Sequence, residues 1–347
     1  GLADKAKAVL FATATPADKP QHFHYLPRMG IMEGKTLSEF LIDLGLTQRK
    51  ARYATFWAVN PSVGTAEVKE RVSGLFSRLT EQGLMVKREV DMEGVGVDFK
   101  IVPLGKEGRD LEAKVENIID AQDVAERSKP ALKRMAKRRQ LEPLKVAHAV
   151  NMALEELRHG RQVILFASRV RESAVERRVG NVVVEKVGSR GTVELLREEL
   201  QAHGVTDIAE IHGEADTNAA QAMGAFQSGD ARVLIATIES GGTGINLDDR
   251  VGNAPRSMII LTAPWTAVDA VQAAGRVWRM TSKSFPRITF LFSDTDTDQA
   301  NASLIATKIS LLGATVEGGV RLLNIDPDLF STKDLLDVAV EGTELET

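Results

Sequence analysis

The chain contains no cysteine, so disulfides and thiolate metal sites are excluded and a reducing compartment suits it. It has no long apolar run either. The longest, such as MIIL at 258–261, are far too short to span a bilayer, so no membrane association is expected. No signal-peptide pattern follows Gly1, and an intracellular protein, cytoplasmic or nuclear, is the expectation. Basic excess is also lacking. A net charge of −4 gives no overall attraction to nucleic acid, so any such binding must come from local patches. What is present is ordinary for a globular protein, 43% hydrophobic and 27% charged residues over 347 positions, enough for two or three domains.

One stretch imitates a nucleotide site. GIMEGKT at 30–36 resembles the phosphate-binding pattern G-x-x-x-x-G-K-[ST], but Gly30 and Gly34 enclose three residues where four are needed. It follows YLPRM rather than a buried strand, so Lys35 is expected to be a solvent-facing loop residue. No complete pattern of that kind, and no D-E-x-x box after a strand, occurs anywhere in the chain.

KAVLFATAT at 7–15 reads as a buried parallel strand without the neighbours such a strand requires, which suggests a piece of a longer polypeptide. Residues 16–66 read as irregular. In 66–82, Val68, Val72, Leu75, Phe76 and Leu79 share one helical face. LMVKREV (84–90) and VGVDFKIVPL (95–104) read as two strands of a hairpin. Residues 109–159 look helical, and SKPALKRMAKRRQ within them holds six basic residues and no acid. Lys133/Lys137 and Arg134/Arg138 form i,i+4 rows there, with Leu132, Met135 and Ala136 opposite. Both a solvated basic face and a phosphate-contacting one fit that pattern.

From residue 161 the pattern becomes regular α/β. Strands are expected at 162–168, 207–213, 232–237, 257–263 and 287–293, with helices at 191–203, 217–228, 267–280 and 297–312. Continuous apolar strands alternating with helices predict a parallel sheet covered on both faces. Residues 171–190 read as an insertion. The segment after Asn324 holds seven acidic residues against one Lys and is expected to be a loosely attached tail.

Two stretches of this half suggest chemistry. ATIESGGTGINL (236–247) places three glycines in the exit loop of a strand, where the backbone can approach a ligand. No long helix follows them, so a dinucleotide-binding turn is excluded. In VQAAGRVWRM (271–280), helical spacing puts Gln272, Arg276 and Arg279 in one polar stripe. Val268, Val271, Gly275 and Trp278 are then expected to pack on the sheet. Two arginines beside a glycine suit a phosphate or a developing phosphoryl charge, and a solvated arginine face is the alternative. The six histidines suggest no metal site: His22 and His24 lack a third ligand, and His212 reads as a strand-end turn.

VILFAS, the IHGEADTNAAQAMGAFQSGDARVLIAT segment, ESGGTGINL and QAAGRVWR occur in an order and spacing that resemble the second RecA-like domain of superfamily 2 helicases, with motifs IV, V and VI. ATATP at 12–16 resembles motif III of the first such domain. ATATPADKPQHFHYLPRMGI, MVKREVDMEGVGVDFKIVPL and LIATKISLLGATVEGGVR narrow the resemblance to the Strawberry notch branch, related to Swi/Snf-type remodellers. The general match covers 160–295 and 10–16, while 31–83 and 105–159 stay mainly unassigned.

The resemblance implies an α/β fold. A RecA-like parallel sheet at 161–323 would follow the end of a first RecA-like domain (1–30), a mixed α+β linker subdomain (31–108) and a basic helical connector (109–160), with the acidic tail at 324–347. It also implies the C-terminal motor portion of an ATP-dependent helicase or translocase on nucleic acid, expected to be DNA. ATP and Mg2+ would be held mainly by an N-terminal RecA-like domain of the same polypeptide, leaving this chain inactive alone. Arg279 would be the arginine finger, Arg276 would face the γ-phosphate, and Gln272 would orient that phosphate or the attacking water. Gly242, Gly244, Asn246 and Gly275 would line the ATP interface, and Thr13 and Thr15 would couple ATP state to domain closure. Thr237, Ser168 and Arg169, with Lys133, Arg134, Lys137 and Arg138 of the basic row, would contact nucleic acid. The other reading is a non-catalytic nucleic-acid-binding or scaffold module with the same fold. Against it stand both motif VI arginines, which such a module does not need.

Overall fold

The structure, a computed structural model, describes residues 20–50, 55–85, 95–168, 170–179, 182–213, 219–237, 245–264, 267–279 and 281–315. The 7–15 strand, most of LMVKREV and the acidic tail lie outside these residues. On the N-terminal side a 3-10 segment, Pro20–Met29, precedes α1 (Leu37–Asp43), the antiparallel ribbon of β1 (Leu46–Lys50) and β2 (Thr55–Val59), and α2 (Thr65–Glu81). Next come β3 (Gly96–Val102), α3 (Gly105–Asp120), α4 (Lys129–Leu141), α5 (Val146–Arg158) and β4 (Gln162–Ala167). A second ribbon of β5 (Ser173–Val179) and β6 (Val182–Ser189) occupies the expected insertion. Then follow α6 (Thr192–Ala202), β7 (Ile208–Ile211), α7 (Ala219–Ser228), β8 (Val233–Thr237), β9 (Arg256–Ile260), α8 (Ala267–Val277), β10 (Arg287–Ser293) and α9 (Asp296–Thr315).

Six parallel strands make the main sheet, in the order β3-β10-β9-β4-β8-β7. Their continuous apolar sequences follow from burial on both faces. In β4, Ile164 and Phe166 enter one core while Val163, Leu165 and Ala167 enter the other, because successive strand residues point to opposite sides. The first core is closed by Phe226 of α7, the alanines of α8 and Ile305 of α9. The second is closed by Ala149, Val150 and Ala153 of α5 and by Val193, Leu196 and Leu200 of α6. Each fully buried Phe of this sheet contributes about 1.5–3 kcal/mol relative to exposure.

Residues 20–85 build a separate core on the α2 face expected from spacing, Val68, Val72, Leu75, Phe76 and Leu79, joined by Phe23, Leu26, Phe40 and Leu41. The unit contacts the sheet domain where α2 packs on α9. Its start is more regular than the sequence suggested. Thr36 and Glu39 form a reciprocal capping box for α1, with Thr36 N–H donating to Glu39 Oε2 at 2.8 Å and Glu39 N–H to Thr36 Oγ1 at 3.3 Å. In GIMEGKT, Gly30 and Gly34 take positive φ (72° and 81°) to form a turn, and Lys35 Nζ lies 2.6 Å from Asp43. The heptad is thus a helix entry.

Of the hairpin expected at 84–104, the second run is β3, and most of the first run and the turn lie outside the described residues. β3 pairs parallel with β10 through all seven residues, Gly96 opposite Arg287 to Val102 opposite Ser293. Phe99 contacts the rings of Phe290 and Phe292, each at 5.2 Å.

Gly191 opens α6 beneath the end of the β4 segment. A Cβ there would stand 1.8 Å from the Val170 carbonyl oxygen, a backbone atom. Gly191→Ala should therefore destabilise the fold by about 1–3 kcal/mol, read as a lower urea midpoint with unchanged slope.

Candidate functional site

The expected site residues divide between the two ends of the sheet. β4 pairs its first residue, Gln162, with Arg256 and its last, Ala167, with Thr237. That length of strand spans roughly 16 Å. Ser168 and Thr237 belong to the C-terminal ends of the strands. Helix α8 runs back between parallel strands, so Arg276 lies toward the N-terminal ends. There the Arg276 carbonyl accepts the Leu247 N–H at 2.9 Å, and the Leu247 carbonyl accepts Arg256 Nε at 2.9 Å.

Ser168 is already engaged. Its N–H donates to Glu142 Oε1 at 2.7 Å and its hydroxyl donates to Glu142 Oε2, a carboxylate buried completely. Both donors of Ser168 are thus used within the protein. Thr237 closes β8, buried at 6% exposure. Arg169, Gly242, Gly244, Thr13 and Thr15 lie outside the described residues.

The basic row of α4 also differs from expectation. Its inward face is Ala131, Arg134, Arg138 and Leu141, so two of the four cations point into the protein. Asn301 Oδ1 accepts Arg134 Nε at 3.0 Å and Nη2 at 2.7 Å. Arg138 donates to the Ala263 carbonyl, and burial pushes its guanidinium down to about 10. Lys133 pairs with Asp120 at 2.8 Å and with Glu116 at 3.2 Å, and Lys137 pairs with Glu116 at 2.9 Å. The row ties α4 to α3 and to the sheet domain.

Motif VI keeps its arginines together. α8 ends at Val277, so Arg279 stands on the turn beyond it. Among the described side chains, Ala270, Ala273, Ala274 and Val277 meet the sheet, while Val268 and Val271 lie outside them. Trp278 is half-buried and stacked on Phe285 at 5.1 Å, while Gly275 is loosely surrounded, with nothing within 4 Å of an added Cβ. Gln272 and Arg279 are exposed, whereas Arg276 is 7% exposed. Burial lowers the Arg276 pKa, and the neighbouring Arg279 charge lowers it further. Among the described residues neither guanidinium has a carboxylate partner. Two uncompensated cations beside an open glycine fit the terminal phosphates of a nucleotide.

Sequence reasoning missed the residues that join the 236–247 stretch to the 271–280 stretch. Gln227 Nε2 donates to the carbonyls of Asn246 (2.9 Å) and Asp248 (3.2 Å), and Gln227 Oε1 accepts Arg256 Nη2 at 3.0 Å. Asp248 and Asp249 are buried and bonded to the turn after motif VI. An Asp followed closely by glycine is an Asx-turn signal that could have marked Asp249.

Residues 175–337 match the family described as the C-terminal domain on Strawberry notch homologue, a range holding motifs V and VI but neither β4 nor Ser168. Mouse Protein strawberry notch homolog 2 is 35% identical over 98 residues, 28% of this chain and 7% of that protein. Protein FORGETTER 1 of Arabidopsis thaliana is 34% identical over 104 residues, 29% of this chain and 8% of its own. Drosophila melanogaster Protein strawberry notch is 35% identical over 98 residues, 28% of this chain and 6% of its own. The matched stretch is thus less than a tenth of each relative. The solved C-terminal part of the Fun30 ATPase domain overlaps 72% of this chain and 97% of its own at TM-score 0.38 and 13% identity. Among the described residues no helix is long and apolar enough to cross a membrane.

Proposed function

We propose that this chain, whose residues 175–337 match the C-terminal domain on Strawberry notch homologue, is the C-terminal motor half of an ATP-dependent nucleic-acid helicase or translocase. An N-terminal RecA-like domain of the same polypeptide holds most of the ATP and Mg2+, and Thr13 and Thr15 couple the two halves. Arg279 supplies donors where charge develops on the transferred phosphoryl oxygens, and Arg276 adds positive potential behind it. Gln272 orients the phosphate or the attacking water, with Gly242, Gly244, Asn246 and Gly275 along the interface. The nucleic-acid track, DNA in this reading, passes the C-terminal ends of the strands at Thr237 and Arg169.

The observation that carries this reading is the pair of arginines, one of them buried, with no carboxylate among the described residues to balance them. A buried cation is costly without an anion, and a binding or scaffold module needs no such pair. Phosphate release distinguishes the readings. The polypeptide that includes the preceding RecA-like domain should hydrolyse ATP faster with single-stranded or duplex DNA than with RNA, and this chain alone should not hydrolyse it. Turnover by this chain alone overturns the division of labour. A long polypeptide with no stimulated turnover leaves the scaffold reading in its place.

A further inference from the structure

The turn that carries Arg279 is held from outside motif VI. Within it, Ser282 Oγ accepts the Arg279 N–H at 2.8 Å and the Ser282 N–H donates to the Arg279 carbonyl at 2.9 Å. Neighbours on both sides of Ser282 are bonded to the two aspartates that end the motif V stretch. Thr281 Oγ1 donates to Asp248 Oδ2 at 2.8 Å and Ser284 Oγ donates to Asp249 Oδ2 at 2.6 Å. The Lys283 N–H donates to the Asp249 carbonyl at 2.7 Å. Both carboxylates are nearly sealed from water, at 0% and 2% exposure.

The Asp249 carboxylate also accepts the N–H groups of Val251 (3.1 Å), Gly252 (2.8 Å) and Ala254 (3.3 Å). It is therefore anchored to the loop that leads into β9. Burial alone would raise its pKa, but the Ser284 hydroxyl and these amides outweigh burial and hold the carboxyl below its usual range. Asp248 and Asp249 thus join the end of the motif V stretch to the turn that carries the exposed Arg279.

We propose that Asp248 and Asp249 are positioning residues that set the placement of Arg279 by clamping the 281–284 turn to the end of motif V. The proposal rests on the arginine-finger reading. A displacement of about 1 Å at a reacting group can lower turnover by about a hundredfold, so a clamp of this kind is visible in kinetics.

The test uses the full-length polypeptide with Asp249→Asn, Arg279→Ala and both together, measuring kcat and KM for ATP under saturating DNA. Asp249→Asn is expected to lower kcat about tenfold and to leave KM for ATP within about twofold. On the Arg279→Ala background it should add no further loss, because there is no finger left to misplace. Amide hydrogen exchange should quicken at residues 279–284 in Asp249→Asn and stay unchanged in β8 and β10. If the two losses multiply, or exchange at 279–284 does not change, the clamp is overturned while the finger stands. If Arg279→Ala alone keeps wild-type turnover, the finger reading itself fails and the clamp has nothing to position. Should Asp249→Asn not fold, Ser284→Ala removes one bond of the clamp and goes through the same cycle.

Discussion

Arg279→Ala in the full-length polypeptide should lower DNA-stimulated ATP turnover by roughly 10³-fold or more, the loss typical of an arginine finger. The side chain is exposed on a turn fixed at its backbone by Ser282, and no carboxylate among the described residues competes for it. Its removal should therefore act on kcat, with ATP binding carried by the preceding domain and KM little changed. Arg279→Lys should recover only a small part of the loss, since an ammonium cannot present the planar fork that grips two phosphoryl oxygens. Thermal stability should stay near that of the wild type, because the side chain buries little surface. Steady-state phosphate release with both variants, beside a melting curve, checks the set. Turnover within about threefold of wild type in Arg279→Ala would remove the assignment.

Lys145→Met should destabilise the fold by about 3–5 kcal/mol, the largest effect on stability expected here. Lys145 is 1% exposed, and its ammonium lies 3.0 Å from Asp298 Oδ2 and 3.2 Å from the Leu291 carbonyl. Asp298 Oδ2 also accepts the Ser293 N–H and hydroxyl, each at 2.9 Å. Without the ammonium the buried carboxylate keeps only the Ser293 bonds and the more distant Arg138 charge. The double change Lys145→Met with Asp298→Leu removes both charges and should recover part of the loss. Burial would raise the Asp298 pKa, and the Lys145 charge with the Ser293 bonds reverses this, so the folded value is lowered. Stability from a lowered carboxyl is complete above its unfolded pKa, about 3.9, and is lost as pH falls through the folded value. The gap between wild type and Lys145→Met should thus be widest near neutral pH and narrow below about pH 4. Urea titrations at several pH values measure it.

Much of this architecture was legible because burial imposes a pattern on composition. The strands of the second half read as apolar runs, and the five core positions of α2 followed from helical spacing alone. Where the reading failed, the deciding partner was distant in sequence. Arg134 lies on the inward side of α4 because Asn301, 167 positions later, accepts its donors. Charge made that face look like the outer one. β3 likewise pairs with β10 at the far end of the chain, a partner no local signal names. The candidate site was legible as a pair of arginines. Its clamp was not, because Asp248 and Asp249 look like solvated loop acids until the 281–284 turn folds over them.

The position of β3 has a bearing on how the sheet domain can be isolated. Among the described residues β3 is an edge strand, and its solvent side offers Asp98 and Lys100, charges that keep such a strand from recruiting another. Beneath it β10 reads RITFLFS, with six of its seven residues buried. A protein cut to begin at residue 161 would look complete by motif and yet expose that row of unpaired amides and carbonyls, an invitation to strand-by-strand aggregation. A soluble sheet domain should therefore need residues 96–102 as well as those after 161.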